Sequence, residues 1–256
     1  MRPRKRLGQN FLRDRTFLQK ILDAADLQPN DQVLEIGSGT GVLTAEIVKA
    51  AAKLIAIELD DALANTLSAD YAGNPRVTVW HGNALDFDPC EHFDTPYKLL
   101  GNIPYYITGP ILRHYLESAC TPSVMVLMVQ REVAQRMVAA PGHLSLLGVS
   151  VQFYAQPEIV SRVPPGAFYP PPRVESAIVR LVPRQPPVPR GRHQRFFQLA
   201  RAGFGTRRKT LTNALGIGLY ISRDEARNLL DAAGIDPHRR AETLTLGEWA
   251  RLAEVE

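Results

Sequence analysis

A run of four residues, Asn102-Ile103-Pro104-Tyr105, combines groups suited to hold a planar ring that carries an exocyclic amine. The side-chain oxygen of Asn102 and a backbone carbonyl, that of Pro104, can each accept one amine hydrogen, while the Tyr105 ring stacks on the plane of the base. The proline restricts the backbone between these groups. Because asparagine, proline and tyrosine are also ordinary turn residues, the four residues alone are equally compatible with a simple turn.

A glycine-rich segment lies earlier in the chain, at Glu35-Ile36-Gly37-Ser38-Gly39-Thr40-Gly41. Glycines let the backbone approach a ligand closely, and a helix that follows them offers free N–H groups. A dinucleotide fingerprint counted from Gly37 requires a third glycine where this chain has Val42, so that pattern fails. The observed spacing instead resembles the first motif of S-adenosylmethionine-dependent methyltransferases.

Two further polar residues, Glu58 and Asn83, end the next two predicted strands. The Glu58 carboxylate can accept hydrogen bonds from both hydroxyls of a ribose, a placement that also occurs in NAD enzymes. Asn83 stands where the methyltransferase pattern has an aspartate that contacts the adenine amine. Its amide oxygen can accept the same hydrogen bond, but a neutral acceptor binds more weakly than a carboxylate.

The aliphatic residue of the four-residue run, Ile103, narrows the resemblance. Methyltransferases of DNA adenine or of glutamine amides usually have a second proline at this place, whereas an aliphatic residue resembles the rRNA adenine-N6 dimethyltransferases. Other segments resemble the same family, and together they span nearly the whole chain: residues 5–12, residues 167–176, and residues 207–211 with 240–244.

This resemblance implies a cofactor, S-adenosylmethionine, and roles for individual residues. The implied catalytic residues include an aromatic clamp in which Phe168 faces the target base opposite Tyr105; the full set is Asn102, Pro104, Tyr105 and Phe168. The implied cofactor-binding residues are Asn10, Leu12, Gly37, Glu58, Asn83 and Asn102. A basic cluster in the C-terminal part is predicted to contact RNA phosphates, and its members are Arg207, Arg208 and Lys209.

Apolar runs alternate with helical patterns along most of the chain, which favours a mostly parallel sheet with helices on both faces. The predicted strands are residues 32–36, 53–59, 76–80, 97–100, 123–129, 156–163 and 176–182. The predicted fold class is α/β, a Rossmann-like class I methyltransferase sheet with a small all-helical C-terminal domain. A proline-rich stretch at residues 183–189 suggests a stiff linker, so the predicted domains are 1–184, catalytic, and 185–256, RNA-binding.

Composition restricts the possible partners. The chain has 256 residues, a formal net charge of +4 and basic clusters near both ends, which favours a polyanion such as nucleic acid. Cys90 and Cys120 lie in unrelated contexts, so neither a disulfide nor a metal site is expected. With no apolar stretch of membrane length and no signal-like segment, we expect a cytoplasmic monomer without membrane or metal partners.

The resemblance implies an enzyme that dimethylates two adjacent adenines in the 3′-terminal hairpin of 16S rRNA, within the small (30S) ribosomal subunit during ribosome biogenesis. One alternative is a resistance-type adenine-N6 methyltransferase of 23S rRNA. Another is an RNA-binding assembly factor that has lost catalysis. An NAD oxidoreductase is the least favoured, because of Val42.

Overall fold

The computed structural model describes Arg4, residues 9–206 and residues 208–255. The chain divides into two compact units, one of Met1–Ala134 with Pro157–Pro183 and the other of Gln135–Gln156 with Arg184–Glu256. The division between Pro183 and Arg184 lies one residue from the predicted boundary. The segment of residues 135–156, which the sequence analysis placed in the first domain, belongs to the second unit instead, because its helix shares that unit's apolar core.

The strands of the described residues form one large sheet and one two-stranded ribbon. They are β1 Phe11–Leu12, β2 Gln32–Ile36, β3 Lys53–Glu58, β4 Val77–His81, β5 Tyr97–Asn102, β6 Val124–Gln130, β7 Ala155–Val163, β8 Phe168–Tyr169 and β9 Ser176–Pro183. The seven-stranded sheet has the order β4-β3-β2-β5-β6-β9-β7, and β1 pairs with β8. Strands β2 to β6 are parallel to one another, and β9 is antiparallel to β6. The predicted α/β fold class is confirmed.

The sheet is held by strands that are apolar on both faces. Val33 and Leu34 of β2 and Leu99 and Leu100 of β5 are all fully buried, as expected for parallel strands covered by helices on both sides. The chain order of the strands reverses between β2 and β5, which is where ligands bind in open α/β sheets. The sheet therefore brings the two sequence motifs at the ends of β2 and β5 to one place.

The helices are α1 Arg15–Ala25, α2 Val42–Ala50, α3 Asp61–Asp70, α4 Thr108–Glu117, α5 Arg131–Met137, α6 Leu146–Tyr154, α7 His193–Phe204, α8 Leu211–Leu219, α9 Arg223–Ala232 and α10 Leu246–Glu254. Side-chain caps explain several helix starts. Asp14 caps α1 and Asp60 caps α3. Thr245 and Glu248 form a capping box at α10, which satisfies backbone donors that the first turn leaves free.

The second unit has its own aromatic core. Phe153 of α6 packs against Phe196 of α7 with ring centroids 4.4 Å apart, and Trp249 of α10 is fully buried in the same cluster. The helices α5 and α6 were not predicted. Their boundary signals were the charged pair Arg131-Glu132 after β6 and the turn residues Pro141-Gly142 between the two helices.

The expectation of two free cysteines is wrong, because Cys90 and Cys120 form a disulfide. Cys90 lies in a short 3-10 helix after β4, and Cys120 follows α4. The fold brings their Cα atoms to 5.3 Å across a sequence separation of 30 residues, a closeness that linear spacing does not reveal. Within the described ranges, no helix is both long and apolar enough to cross a membrane.

Candidate active site

A cleft with an open volume of about 800 Å³ lies at the carboxyl ends of the parallel strands. This volume includes the open solvent at its mouth, and its lining of apolar side chains with a few polar groups is typical of small-ligand sites. Most of the residues that the sequence singled out line it together: Asn10, Gly37, Glu58, Asn83, Asn102, Pro104 and Tyr105. The fold thus assembles the proposed cofactor motifs and the proposed catalytic run around a single space.

The amide of Asn102 is held in one orientation. Its Nδ2 donates a hydrogen bond to the backbone carbonyl of Asn10 at 2.9 Å. A carbonyl can only accept, so the amide nitrogen must face Asn10 and the Oδ1 atom must face the opposite way. This orientation leaves Oδ1 available to accept a hydrogen from an amine in the cleft.

The hydroxyl of Tyr105 is tied to the sheet rather than to the cleft. It shares a 2.6 Å hydrogen bond with Oγ of Ser176, the first residue of β9. Ser176 is fully buried, and burial raises the pKa of the Tyr105 hydroxyl above its ordinary value. The phenol therefore stays protonated at neutral pH and serves as an anchor that limits rotation of the ring.

Glu58 is rigidly placed at the end of β3. Its Oε2 accepts the Gly39 N–H at 2.7 Å, and its Oε1 accepts the Asp60 N–H at 2.8 Å. Each carboxylate oxygen keeps a second lone pair for a ligand donor. The carboxylate is thus preorganised to receive two hydroxyls, and the same contact ties the glycine turn to β3.

Asn83 is less free than the sequence suggested. Its Oδ1 accepts the Leu85 N–H at 3.2 Å, and its backbone carbonyl accepts the Asp86 N–H at 2.8 Å. These bonds shape the turn that follows β4. The oxygen expected to meet the adenine amine is therefore already shared with the backbone.

Gly37 explains how the ends of β2 and β5 approach each other. It has φ of +74°, and a Cβ there would lie 3.2 Å from the backbone oxygen of Asn102. Any side chain would thus be strained at that conformation and would crowd the backbone of Asn102. The close approach creates a cradle that only glycine permits.

The acidic residue of the first motif, Glu35, is buried beneath the cleft. Its Oε2 accepts a 2.6 Å hydrogen bond from Oγ1 of Thr44. Burial raises the pKa of Glu35 to about 7, and the bond from Thr44 opposes that shift. The group is therefore partly protonated near neutral pH.

Two predicted site residues lie away from the main cleft. Leu12 lines a smaller adjoining cavity, which shares Gly37 and Asn102 with the main one. Phe168 is only 4% exposed and packs in the apolar core, because the alternation of side chains along β8 turns it inward. In this arrangement the Phe168 ring does not line the cleft, and its contact with the target base stays a prediction.

The predicted RNA contacts lie in the second unit. Arg208 and Lys209 are exposed between α7 and α8, and Arg207 lies outside the described residues. Of the basic N-terminal run, Arg4 is described, and its Nε pairs with the buried Asp60 at 3.1 Å. Arg4 is thus held by an ion pair with Asp60, which lies two residues after Glu58.

Several residues that line the cleft were not predicted from the sequence. They include Phe11, Leu59, Tyr106 and Ile107. Leu59 directly follows Glu58, and Tyr106 directly follows Tyr105. Adjacency to a predicted site residue was therefore the signal that could have found both. Phe11 lies between Asn10 and Leu12, and the resemblance of residues 5–12 was the signal that could have found it.

The cleft fits S-adenosylmethionine. The glycine cradle at Gly37 leaves room for the methionine part, the fixed Glu58 carboxylate suits a ribose, and the apolar wall with Asn83 suits an adenine ring. Together with the sheet order, this defines the class of protein: a Rossmann-like class I S-adenosylmethionine-dependent methyltransferase with an additional helical unit.

The chain belongs to the family described as Ribosomal RNA adenine dimethylase, whose model matches residues 1–255. It is similar to the Ribosomal RNA small subunit methyltransferase A of Dehalococcoides mccartyi (strain CBDB1), with 52% identity over 98% of this chain and 88% of that protein. The protein of the same name from Pelotomaculum thermopropionicum is 46% identical over 98% of this chain and 90% of that one. The chain is thus an S-adenosylmethionine-dependent rRNA adenine methyltransferase.

Solved structures agree with the fold. The 23S rRNA methyltransferase ErmE has a TM-score of 0.76 and 30% identity, covering 96% of this chain and 98% of that one. A dimethyladenosine transferase from Plasmodium falciparum has a TM-score of 0.79 and 26% identity, covering 94% of this chain and 95% of that one.

Proposed function

We propose that this protein transfers two methyl groups to N6 of each of two adjacent adenines in the 3′-terminal hairpin of 16S rRNA, within the small ribosomal subunit. The observation that carries the proposal is the fixed amide of Asn102, a cleft-lining residue whose Nδ2 is bound to the Asn10 carbonyl, which leaves Oδ1 free of that bond. The 52% identity to a small-subunit rRNA methyltransferase supports the choice of substrate.

The chain's own residues act mainly by positioning. Oδ1 of Asn102 and the Pro104 carbonyl accept the two amine hydrogens. The Pro104 oxygen already accepts the Ile107 N–H at 3.1 Å. Its second lone pair can accept the amine hydrogen. Accepting both hydrogens favours a pyramidal nitrogen whose lone pair is directed along the transfer path. Tyr105 stacks on the base, with its hydroxyl held by Ser176.

S-Adenosylmethionine supplies the electrophilic methyl group when it is bound. The residues proposed to hold it are Gly37, Glu58 and Asn83, with Asn10 and Leu12 from the N-terminal segment. The amine needs no strong base, because its proton can leave to water after the nitrogen becomes positively charged.

The helical unit is proposed to dock on RNA through Arg208 and Lys209, with Arg207. The target base must leave its stack to enter the cleft, and the phosphate contacts fix the register of the RNA. This gives the proposed division of labour: the first unit catalyses, and the second unit, which contains residues 185–256, binds rRNA. The protein is proposed to act as a cytoplasmic monomer, without metal.

A second candidate is methylation of 23S rRNA, favoured by the similarity to ErmE. One experiment separates the two. Purified protein receives labelled S-adenosylmethionine with undermethylated small subunits, large subunits or naked rRNA, and dimethyladenosine is then mapped. The Asn102→Ala variant serves as the inactive control. Dimethylation of adjacent adenines in small subunits supports the proposal, whereas label confined to large subunits overturns it.

A further inference from the structure

The β1–β8 ribbon has two different faces at the edge of the cleft. Its register pairs Phe11 with Tyr169 and Leu12 with Phe168. Residues directly opposite each other in an antiparallel pair point to the same face, and successive residues point to opposite faces. Leu12 and Phe168 are accordingly buried, while Phe11 lines the cleft. Tyr169 therefore lies beside Phe11 on the outer face, and its side chain is 46% exposed.

An arginine covers part of this exposed ring. The guanidinium carbon of Arg13 lies 4.1 Å from the centroid of the Tyr169 ring. The backbone holds the pair in place, because the Arg13 N–H donates to the Ala167 carbonyl at 2.9 Å. Among the residues that the structure describes, no acidic group lies within ion-pair distance of Arg13.

We propose that Tyr169 and Arg13 form a binding subsite for one nucleotide of single-stranded RNA, the neighbour of the adenine that enters the cleft. The Tyr169 ring offers a stacking surface for the unstacked base, and the guanidinium offers charge-assisted hydrogen bonds to its phosphate. Continuity with the cleft through Phe11 places the subsite next to the target. The proposal deepens the proposed function and rests on it, because two adjacent target adenines require a place for the second while the first reacts.

The exposure of the pair argues for a ligand. A cation–π contact that served only to fasten the ribbon would work equally well if covered, yet the tyrosine ring and its partner are both exposed beside a nucleotide-binding cleft. Exposed aromatic rings combined with unpaired cations are the usual means of binding single strands.

The test measures steady-state methylation of undermethylated small subunits by the full chain carrying Tyr169→Ala, Tyr169→Phe or Arg13→Gln. Arg15→Gln is the matched control for the arginine, and Val160→Ala, at an exposed residue of β7, is the control for the aromatic change. We expect Tyr169→Ala to raise KM for the RNA about fivefold or more, as expected for loss of one base–aromatic stack. The Tyr169→Phe variant keeps the wild-type KM, and Arg13→Gln raises KM and weakens its dependence on salt.

A second measurement separates this inference from the proposed function. Fluorescence anisotropy follows binding of a short single-stranded oligoadenylate RNA to the same variants with S-adenosylhomocysteine present, and Kd for that cofactor product and the melting temperature are measured alongside. Weaker RNA binding by Tyr169→Ala, with cofactor Kd and melting temperature unchanged, supports the subsite even if small subunits prove to be the wrong substrate. The subsite is overturned if Tyr169→Ala keeps wild-type KM and RNA affinity, if Tyr169→Phe is impaired as strongly as Tyr169→Ala, or if the wild-type chain does not bind the oligoadenylate.

Discussion

Asn102 and Asn10 lie 92 positions apart in the sequence, and their hydrogen bond of 2.9 Å joins the N-terminal segment to the proposed catalytic run. The bond runs from side-chain amide to backbone carbonyl, so its direction is unambiguous. The N-terminal segment therefore acts on the orientation of the proposed catalytic amide as well as on the cofactor pocket.

This relationship predicts different failures for two substitutions of Asn102. The Asn102→Ala variant removes the acceptor for the amine and is expected to abolish turnover while cofactor binding persists. The Asn102→Asp variant keeps an acceptor but loses the donor to Asn10, and it brings a carboxylate oxygen against a carbonyl. Since an unsatisfied or repelled buried group costs about 1–3 kcal/mol, we expect kcat to fall at least about tenfold. Single-turnover rates and calorimetric Kd for S-adenosylmethionine check both variants, and full activity of Asn102→Ala contradicts the mechanism.

The bond between Tyr105 and Ser176 predicts non-additive effects. Ser176→Ala leaves the half-buried phenol without its partner, and Tyr105→Phe leaves the serine without its own, so each single variant is expected to lower kcat several-fold. The double variant replaces both polar partners by apolar groups, which is nearly neutral in favourable cases, and should recover much of the loss. A double-mutant cycle on kcat with a coupling of about 1 kcal/mol agrees with this scheme. Strict additivity argues against a positioning role for Ser176.

The sequence predicted much of the sheet and singled out many of the residues that line the cleft, because both depend on local patterns. Buried parallel strands have long apolar runs, and their ends carry residues such as Glu58. The contacts that finish the site depend on tertiary pairing instead. The Tyr105–Ser176 bond and the two-residue ribbon at Phe11 have no periodic signal, and the inward position of Phe168 follows from strand register. The disulfide escaped prediction for the same reason.

Replacing the neutral amide of Asn83 by a carboxylate is expected to raise the affinity for the cofactor. In Asn83→Asp the carboxylate still accepts the Leu85 N–H and adds a charged acceptor facing the adenine side of the cleft. A charge-assisted hydrogen bond is about twice as strong as a neutral one, so Kd for S-adenosylmethionine is expected to fall about two- to tenfold. Calorimetric titration measures the change, with Asn83→Ala as the comparison that loses both bonds. A higher Kd in Asn83→Asp than in the wild type shows that the adenine amine does not contact this residue.

The basic cluster before α8 predicts the salt dependence of RNA binding. If Arg208 and Lys209 contact phosphates, neutralising each one to Gln lowers the slope of log K against log salt by about 0.7–0.9. The same is expected for Arg207, which lies outside the described residues. Lys49, which is exposed and paired with Glu46 on α2, provides the control as Lys49→Gln. Filter binding of undermethylated small subunits over a salt series measures the slopes, and an unchanged slope removes the residue from the interface.

The raised pKa of the buried Glu35 carboxyl predicts that the free energy of unfolding depends on pH. Its carboxyl has a pKa of about 7 in the folded chain, raised by burial from an ordinary value of 4.5. Between these values the folded chain holds a proton that the unfolded chain has lost, so the free energy of unfolding falls as pH rises. The contribution of Glu35 to the free energy of unfolding is fully present below about pH 4.5 and is lost as the pH rises through 7. Its total is up to about 3 kcal/mol.

Two variants at this contact check the prediction. Glu35→Gln keeps an acceptor for the Thr44 hydroxyl and does not titrate, so the difference in unfolding free energy between wild type and variant should change by up to about 3 kcal/mol between pH 4.5 and 8. Thr44→Val removes the hydrogen bond that favours the charged form, so the loss of stability should extend to higher pH. Urea unfolding of the cofactor-free chain across this range measures both effects. If the wild-type and Glu35→Gln curves run parallel in pH, the buried carboxyl does not hold its proton in the folded chain.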